Sequence, residues 1–530
     1  MMIQDFFTEG IQSGWIVRDG AQLQEDLLLE TEVVVIGTGA GGGVSAEILS
    51  QAGKEVLMIE EGPLKTSSDF HMKELEAYPS LYQESGSRKT ADRGITIYQG
   101  RAVGGSTTVN WTTSFRTPEE TLRVWQERHG LVGFSSVEMQ PWFDLMEKRL
   151  GISDWLIPPN ENNDVLRRGC EKLGIPTHRI RRNVKGCFNL GYCGMGCPTN
   201  AKQSQLVTTI PKVLESGGQL FYSLRAEYFV HDKGQVKELV CSAMDQRGTR
   251  PGKRTIRIRA KSFILAAGAI GSPALLLRSN LPDPYQQIGR RTFLHPVCVS
   301  GAVMPFEVSA HFGAPQTIYS DHFLQQSPPE GPIGYKLEVP PVHPVLAATT
   351  LKGFGLDHVK IMKEFPNLQI TLALMRDGFH EESQGGQVKL KKDKTPVLDY
   401  PLTPYLWEGV RRALLSMAEI QFAAGAKQVL PVHEDSLPYT SWKQAKVAIE
   451  QLPMEVLKVL LVSAHVMGGC AMGQDESNSV VDSSGKLHSM NNVYVIDGSA
   501  FPTSVGANPQ LSIYALAAKQ ATQLLKELKS

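Results

Sequence analysis

One segment restricts the fold more than any other: residues 31–62, TEVVVIGTGAGGGVSAEILSQAGKEVLMIEEG. The β-branched run from Val33 to Ile36 predicts a buried strand, the glycines a tight turn, the small residues a helix, and the second apolar run a strand ending at Glu60. This is a βαβ unit with specific demands at three glycines. Gly37 permits the turn, Gly39 lets backbone approach a pyrophosphate, and Gly42 lets the helix pack on the strand with its N-terminus toward the phosphates. Glu60, 18 residues beyond Gly42, stands where a carboxylate accepts hydrogen bonds from a ribose. A glycine triplet alone is weak, but strand, triplet, helix, strand and terminal acid in order predict a dinucleotide site. The acid favours a free ribose hydroxyl, which NAD and FAD share, so this unit does not choose between them.

The 530 residues exceed the roughly 250 to 300 at which single cores stop growing, so two or more packed units are expected. Lys plus Arg and Asp plus Glu balance at 54 each, and no window gathers a basic stripe, which argues against nucleic acid. Charge breaks the apolar runs, as Lys458 breaks the stretch from Val456 to Val466, so no integral membrane segment is expected. The first thirty residues show neither a basic n-region nor an apolar h-region, which makes the cytoplasm the expected compartment. Seven cysteines in a chain without export are not expected to form structural disulfides.

Three further stretches add to the first. In 100–116, GRAVGGSTTVNWTTSFR, the run Gly104-Gly105-Ser106 marks another close approach of backbone, for which a nicotinamide enzyme has no obvious need. In 263–279, FILAAGAIGSPALLLRS, a buried strand leads through a glycine turn to a helix that Ser272 and Pro273 would start as N-cap and N1. In 493–521, VYVIDGSAFPTSVGANPQLSIYALAAKQA, a strand ends at Asp497-Gly498 and a long helix follows with Pro509 in its first turn. Together the four pieces resemble, in the family's order and from Val33 to about Lys526, the glucose-methanol-choline (GMC) family of FAD-dependent oxidoreductases.

The resemblance implies an α/β FAD-binding domain of Rossmann type, discontinuous in sequence, and an α+β substrate domain with a mostly antiparallel sheet. The expected division is 30–116, 205–295 and 465–530 for the FAD-binding domain, 117–204 for connecting helices and a cysteine loop, and 296–464 for the substrate domain. Carried over by motif, Gly37, Gly39, Gly42 and Glu60 would hold the ADP half, and Gly104, Gly105, Ser106 and Asn110 would lie along the pyrophosphate and isoalloxazine. Asp497 and Gly498 would face the ribityl or pyrophosphate region, and backbone near Tyr228 would complete the adenine pocket.

The stretch 463–473, SAHVMGGCAMG, resembles the family segment that carries the active-site histidine, which places His465 at the flavin's reactive face with Asn508 as its partner. Oxidising an alcohol requires loss of the hydroxyl proton and delivery of a hydride from the same carbon to flavin N5, and a neutral imidazole suits the first task. The expected roles are proton acceptance by His465 and a hydrogen bond from the Asn508 amide to the substrate oxygen. Outside the family context a lone histidine in an apolar segment reads as a packed ring. Asn508 before Pro509 also reads as the N-cap of a helix whose positive end would point toward the flavin. Gly469 and Ala471 stand where many relatives carry polar residues, which implies a more apolar pocket lining. Cys470 reads as small and buried, since His465 and Cys470 alone do not make a metal site.

Cys187, Cys193 and Cys197 follow a C-x5-C-x3-C spacing in KGCFNLGYCGMGCPTNAKQS, and thiolates select zinc or iron–sulfur clusters. The spacing resembles that of cluster-bearing FAD-linked sugar dehydrogenases, whose three-iron cluster relays electrons to a haem partner. It also resembles segments of long-chain alcohol oxidases with no known cluster. A sugar or polyol dehydrogenase with a cytochrome partner is therefore the alternative reading. A nucleotide-binding protein without redox turnover, or an NAD dehydrogenase, would leave the glycine loop at Gly104 and the C-terminal motif unexplained together.

From 296 to 400, alternating runs such as GYKLEVPPV and LQITLALMRD predict antiparallel strands, followed by a helix from about Leu406 to Ala424. Lys202, His295 and His488 read as structural. Trp111, Phe115 and the apolar stretch from Val462 to Met472 tilt the small-molecule substrate toward a bulky or long-chain alcohol. The electron acceptor, whether oxygen, a quinone or a cytochrome, is not legible in the residues.

Overall fold

The structure, a computed structural model, describes residues 3–351 and 353–529. The βαβ unit consists of the strand Leu27–Ile36, the helix Ala40–Gln51 and the strand Val56–Ile59, the two strands running parallel from Val33↔Val56 to Ile36↔Ile59. On its other side Leu27–Ile36 pairs in parallel with Pro251–Leu265, which pairs in turn with Val493–Val495. Antiparallel strands Gln235–Met244 and Leu224–Asp232 extend one edge, and Gln219–Tyr222 with Ile16–Asp19 extends the other. Strands from the beginning, middle and end of the chain thus share one sheet. The residues Val33, Val34, Val35, Phe263, Ile264, Leu265, Val493 and Val495 are fully buried. Central parallel strands are covered on both faces, so they read as continuous apolar runs.

The helix Gln510–Glu527 packs on Ala40–Gln51, closing one face. Side chains at Gly41 and Gly42 would collide with the carbonyls of Ile496 and Gly37, so the glycines let this helix lie directly on the strand ends. The helix after Leu265 begins earlier than the Ser-Pro pair suggests. It runs Gly268–Arg278 with Ala267 at the N-cap, and Ser272 and Pro273 fall inside it. Two residues suffice for the turn, and the Ser272 hydroxyl instead accepts from the Ala267 N–H at 3.1 Å and donates to Asp497 Oδ2 at 2.7 Å.

A second sheet runs in the order Ile95–Ile97, Leu461–Ser463, Val297–Val303, Leu368–Met375, Tyr335–Glu338, Ile318–Ser320 and His178–Arg179, with Gln428–Pro431 also beside Val297–Val303. Its pairings are antiparallel except that of Ile95–Ile97 with Leu461–Ser463. Every residue of Leu368–Met375 is buried. The helix Pro404–Ala423 packs against this strand, while Leu368, Ile370, Leu372 and Leu374 face a cavity. The period-two geometry of a strand divides the two faces. Among the described residues, no helix is long and apolar enough to cross a membrane.

Candidate active site

A cavity of about 690 Å³ lies between the glycine loops of the first sheet and the inner face of the second. Gly37, Gly39, Glu60, Gly105, Ser106, Asn110, Asp497 and Gly498 all line it. Gly42 and Gly104 stand just behind the wall. Gly42 supports the helix packing, and the Gly104 N–H donates to Thr38 Oγ1 at 2.9 Å. The helix Ala40–Gln51 starts at Gly39 with no side-chain cap, so its first N–H groups are open to an anion at the wall. Glu60 Oε2 accepts from the Thr38 N–H at 3.1 Å and from Thr38 Oγ1 at 2.7 Å, and Oε1 accepts from the Gly62 N–H at 2.9 Å. Burial pushes its pKa up while these donors oppose the rise. A carboxylate has about four acceptor positions, so one is left for a ribose hydroxyl.

Asp497 ties the wall together. Its Oδ2 accepts from the Gly268 N–H at 2.8 Å and from Ser272 Oγ, and its Oδ1 accepts from the Ser499 N–H at 2.7 Å. Tyr228 does not reach the cavity; Leu224, Arg225 and Ala226 do. A register shift opposite Val240 and Cys241 separates Ala226 from Tyr228, and the bulge turns the tyrosine outward. The cradle of side-chain-free positions, the uncapped helix N-terminus and the buried acid fit a bound dinucleotide.

At the other end His465 follows the strand Leu461–Ser463 and donates its N–H to Ser463 Oγ at 3.2 Å. Burial, reinforced by the Lys336 cation, pushes its pKa down to about 3 and keeps the ring neutral. His295 lies against it, Nδ1 to Nδ1 at 3.4 Å with the rings at 82°. That separation is longer than a well-formed hydrogen bond and does not fix the tautomer of His465. His295 itself is held firmly: its backbone is left-handed at φ 44°, Asp377 accepts its N–H at 3.1 Å, and the Gly506 N–H donates to its Nε2 at 3.1 Å. It packs behind His465 as a buried ring and is not itself on the cavity wall. Pairing of Val297 with Val462 brings the two histidines to the same strand ends, a relation no local motif carries.

Asn508 is 4% exposed and lines the cavity, with Nδ2 donating to Glu338 Oε2 at 3.1 Å and Oδ1 without a protein partner. It does not cap the last helix, whose N-cap is Pro509 and has no side-chain bond. Trp111 lines the cavity, whereas Phe115 lies beneath the Lys336 ammonium, 3.0 Å from the ring centroid. Gly469 and Ala471 are not on the wall. The apolar lining comes from Val297, Val299 and the leucines and isoleucine of Leu368–Met375, with Leu346, Ala347 and Leu351 at the helix Pro344–Thr350.

Each of the three thiols meets a donor of its own. Cys187 Sγ accepts from the Asn189 N–H at 3.4 Å, Cys193 Sγ from Arg182 Nη2 at 3.8 Å, and Cys197 Sγ from the Lys202 N–H at 3.5 Å. Among the described residues, no three His, Cys, Asp or Glu side chains are grouped to hold a metal ion. The loop instead braces the cavity: Lys202 Nζ donates to the carbonyls of Thr108, Asn110 and Cys193, and Tyr82 donates to the Gly194 carbonyl at 2.7 Å.

The N-terminal GMC oxidoreductase family model matches residues 78–297, and the C-terminal one matches 382–517. The chain is 29% identical over 521 residues to the long-chain-alcohol oxidase FAO4A of Arabidopsis thaliana, covering 94% of this chain and 69% of that protein. It is 30% identical over 523 residues to FAO4B of the same plant, covering 95% and 68%. Among solved structures, a pyridoxine 4-oxidase from Mesorbium loti superposes with a TM-score of 0.68 at 18% identity, over 93% of this chain and 99% of that one.

Proposed function

Since this chain belongs to the GMC oxidoreductases and is an FAD-dependent oxidoreductase, we propose that it oxidises the CH–OH group of a long-chain or bulky alcohol to a carbonyl. The observation that carries this reading is a single cavity joining a dinucleotide cradle, the His465 and Asn508 pair, and an apolar roof. FAD bound along Gly39 and Gly105 supplies the hydride acceptor.

The remaining work falls to the protein. The roof formed by Leu368–Met375 and the helix Pro344–Thr350 excludes water and takes an alkyl chain. His465, neutral because it is buried beside a cation, takes the hydroxyl proton on its unprotonated ring nitrogen. Asn508 has one amide N–H committed to Glu338 and a second to give to the substrate oxygen. Gln510, which begins the last helix, also lines the cavity, so the positive helix end favours negative charge there. The two relatives named are alcohol oxidases, which supports molecular oxygen as the electron acceptor.

The test is the anaerobic visible spectrum of the purified flavoprotein before and after a panel of alcohols. Long-chain primary alcohols are expected to bleach the flavin bands and sugars to leave them. Flavin bands that persist with every alcohol would remove this function.

A further inference from the structure

Beneath Asn508 lies a buried charge pair whose carboxylate has no role in the oxidation described above beyond accepting one Asn508 N–H. Glu338 ends the strand Tyr335–Glu338 and is fully buried, and Lys336, two residues earlier on the same face, is 4% exposed. Lys336 Nζ stands 3.5 Å from Glu338 Oε1 and lies over the rings of Phe115 and Tyr319. Placing both charges in the interior is costly unless hydrogen bonds satisfy the remaining lone pairs. Here those bonds lead to the reaction end of the cavity. Glu338 Oε2 accepts from Gln316 Nε2 at 2.7 Å and from Asn508 Nδ2 at 3.1 Å, and Gln316 Oε1 accepts from Thr113 Oγ1 at 2.6 Å.

An asparagine amide can sit either way round in a pocket of fixed shape, and its partners decide which. An ionised carboxylate only accepts, so Glu338 admits the NH2 end of Asn508 and repels the oxygen end. The oxygen is accordingly the end left without a protein partner. A well-packed apolar pair would hold this strand as well as the two charges do. It would not choose between the two amide orientations.

We propose that Glu338 is a positioning residue for the oxidation: its carboxylate, held by Lys336 and Gln316, locks the Asn508 amide in one orientation toward the hydroxyl of the substrate. This inference rests on the alcohol oxidation proposed above.

The experiment is a double-mutant cycle read by anaerobic stopped-flow reduction of the flavin with a long-chain primary alcohol, on the holoenzyme, Glu338→Gln, Asn508→Ala and the double variant. FAD content is checked in each. A glutamine amide can turn either end to its neighbour, so Glu338→Gln is expected to lower the limiting reduction rate about tenfold or more, with little change in apparent Kd. In the Asn508→Ala background the same change is expected to have no further effect. Equal losses in both backgrounds, or an unchanged rate in the single variant, would overturn the proposal. If Glu338→Gln loses its FAD, Lys336→Met with Glu338→Leu removes both charges at similar volume; a wild-type rate in that variant would also overturn it. Additive losses with a reducible wild-type flavin sink the inference alone, whereas a wild-type flavin that no alcohol reduces sinks the alcohol reading and the inference with it.

Discussion

A side chain on Gly105 would place its Cβ 2.7 Å from the Cα of Gly39, so the second glycine loop rests on the turn that opens the helix Ala40–Gln51. Gly105 also holds a left-handed backbone at φ 54°, which costs other residues about 1 to 2 kcal/mol. Gly105→Ala therefore strains the loop and pushes the two walls of the cradle apart. We expect FAD affinity to fall about tenfold or more while far-ultraviolet circular dichroism stays unchanged. Flavin absorbance per protein after gel filtration is the measurement, and full occupancy would show that the close approach is not needed for FAD.

His465→Ala leaves the glycine cradle intact, so the variant should purify yellow. Loss of a positioned base typically costs 100-fold or more, and we expect flavin reduction to slow by about that factor. Because the pKa of His465 lies at about 3, the wild-type reduction rate should not fall between about pH 7 and about pH 5 through protonation of this ring. Stopped-flow reduction across that range checks both statements, and an unchanged rate in His465→Ala would take the residue out of the reaction.

Ala347 sits on the apolar roof, is 3% exposed, and belongs to the helix Pro344–Thr350, whose first N–H groups are held by the Glu74 carboxylate. Ala347→Phe adds a ring where an alkyl chain is expected to lie. The ratio of kcat to KM should drop about tenfold or more for the longest alcohols and change about twofold or less for short ones. Equal losses at every chain length would place the alkyl chain elsewhere.

The glycine unit at residues 31–62 and the segment around Asp497 were legible because local spacing alone dictates a tight turn, a close approach and a strand end. The partners of the reacting pair were not. His295 meets His465 through the antiparallel register of Val297 with Val462, and Glu338 meets Asn508 across 170 residues of chain. Such relations exist only once the sheet is assembled. The cysteines show the converse limit, since C-x5-C-x3-C spacing sets nearness along the chain but not the direction of each sulfur, and local N–H or guanidinium donors claim all three. The wall expected from backbone near Tyr228 falls to Leu224, Arg225 and Ala226 just before it, and the helix expected to start at Ser272 and Pro273 begins earlier because only Ala266 and Ala267 separate it from the strand.

Buried neutral histidines tie stability to pH. His343, 3% exposed, packs against Tyr192 with ring centroids 4.7 Å apart and planes tilted by 41°, and burial with the nearby His311 pushes its pKa from 6.5 down to about 4. His295 is lowered further, by burial and then by His465 and Lys336. Below about pH 6.5 the unfolded chain takes up protons at these rings while the folded chain does not, so the unfolded state binds more protons and stability rises with pH. The stabilisation is fully present above the unfolded pKa and is lost on acidification toward about pH 4, at up to about 1.4 kcal/mol per pH unit for each group. His343→Phe keeps an aromatic ring against Tyr192 and removes the titrating nitrogen. Its Tm should therefore decline less steeply than that of the wild type between about pH 7 and about pH 5, as followed by differential scanning fluorimetry. Parallel Tm curves for the two proteins would mean that His343 is protonated in the folded state.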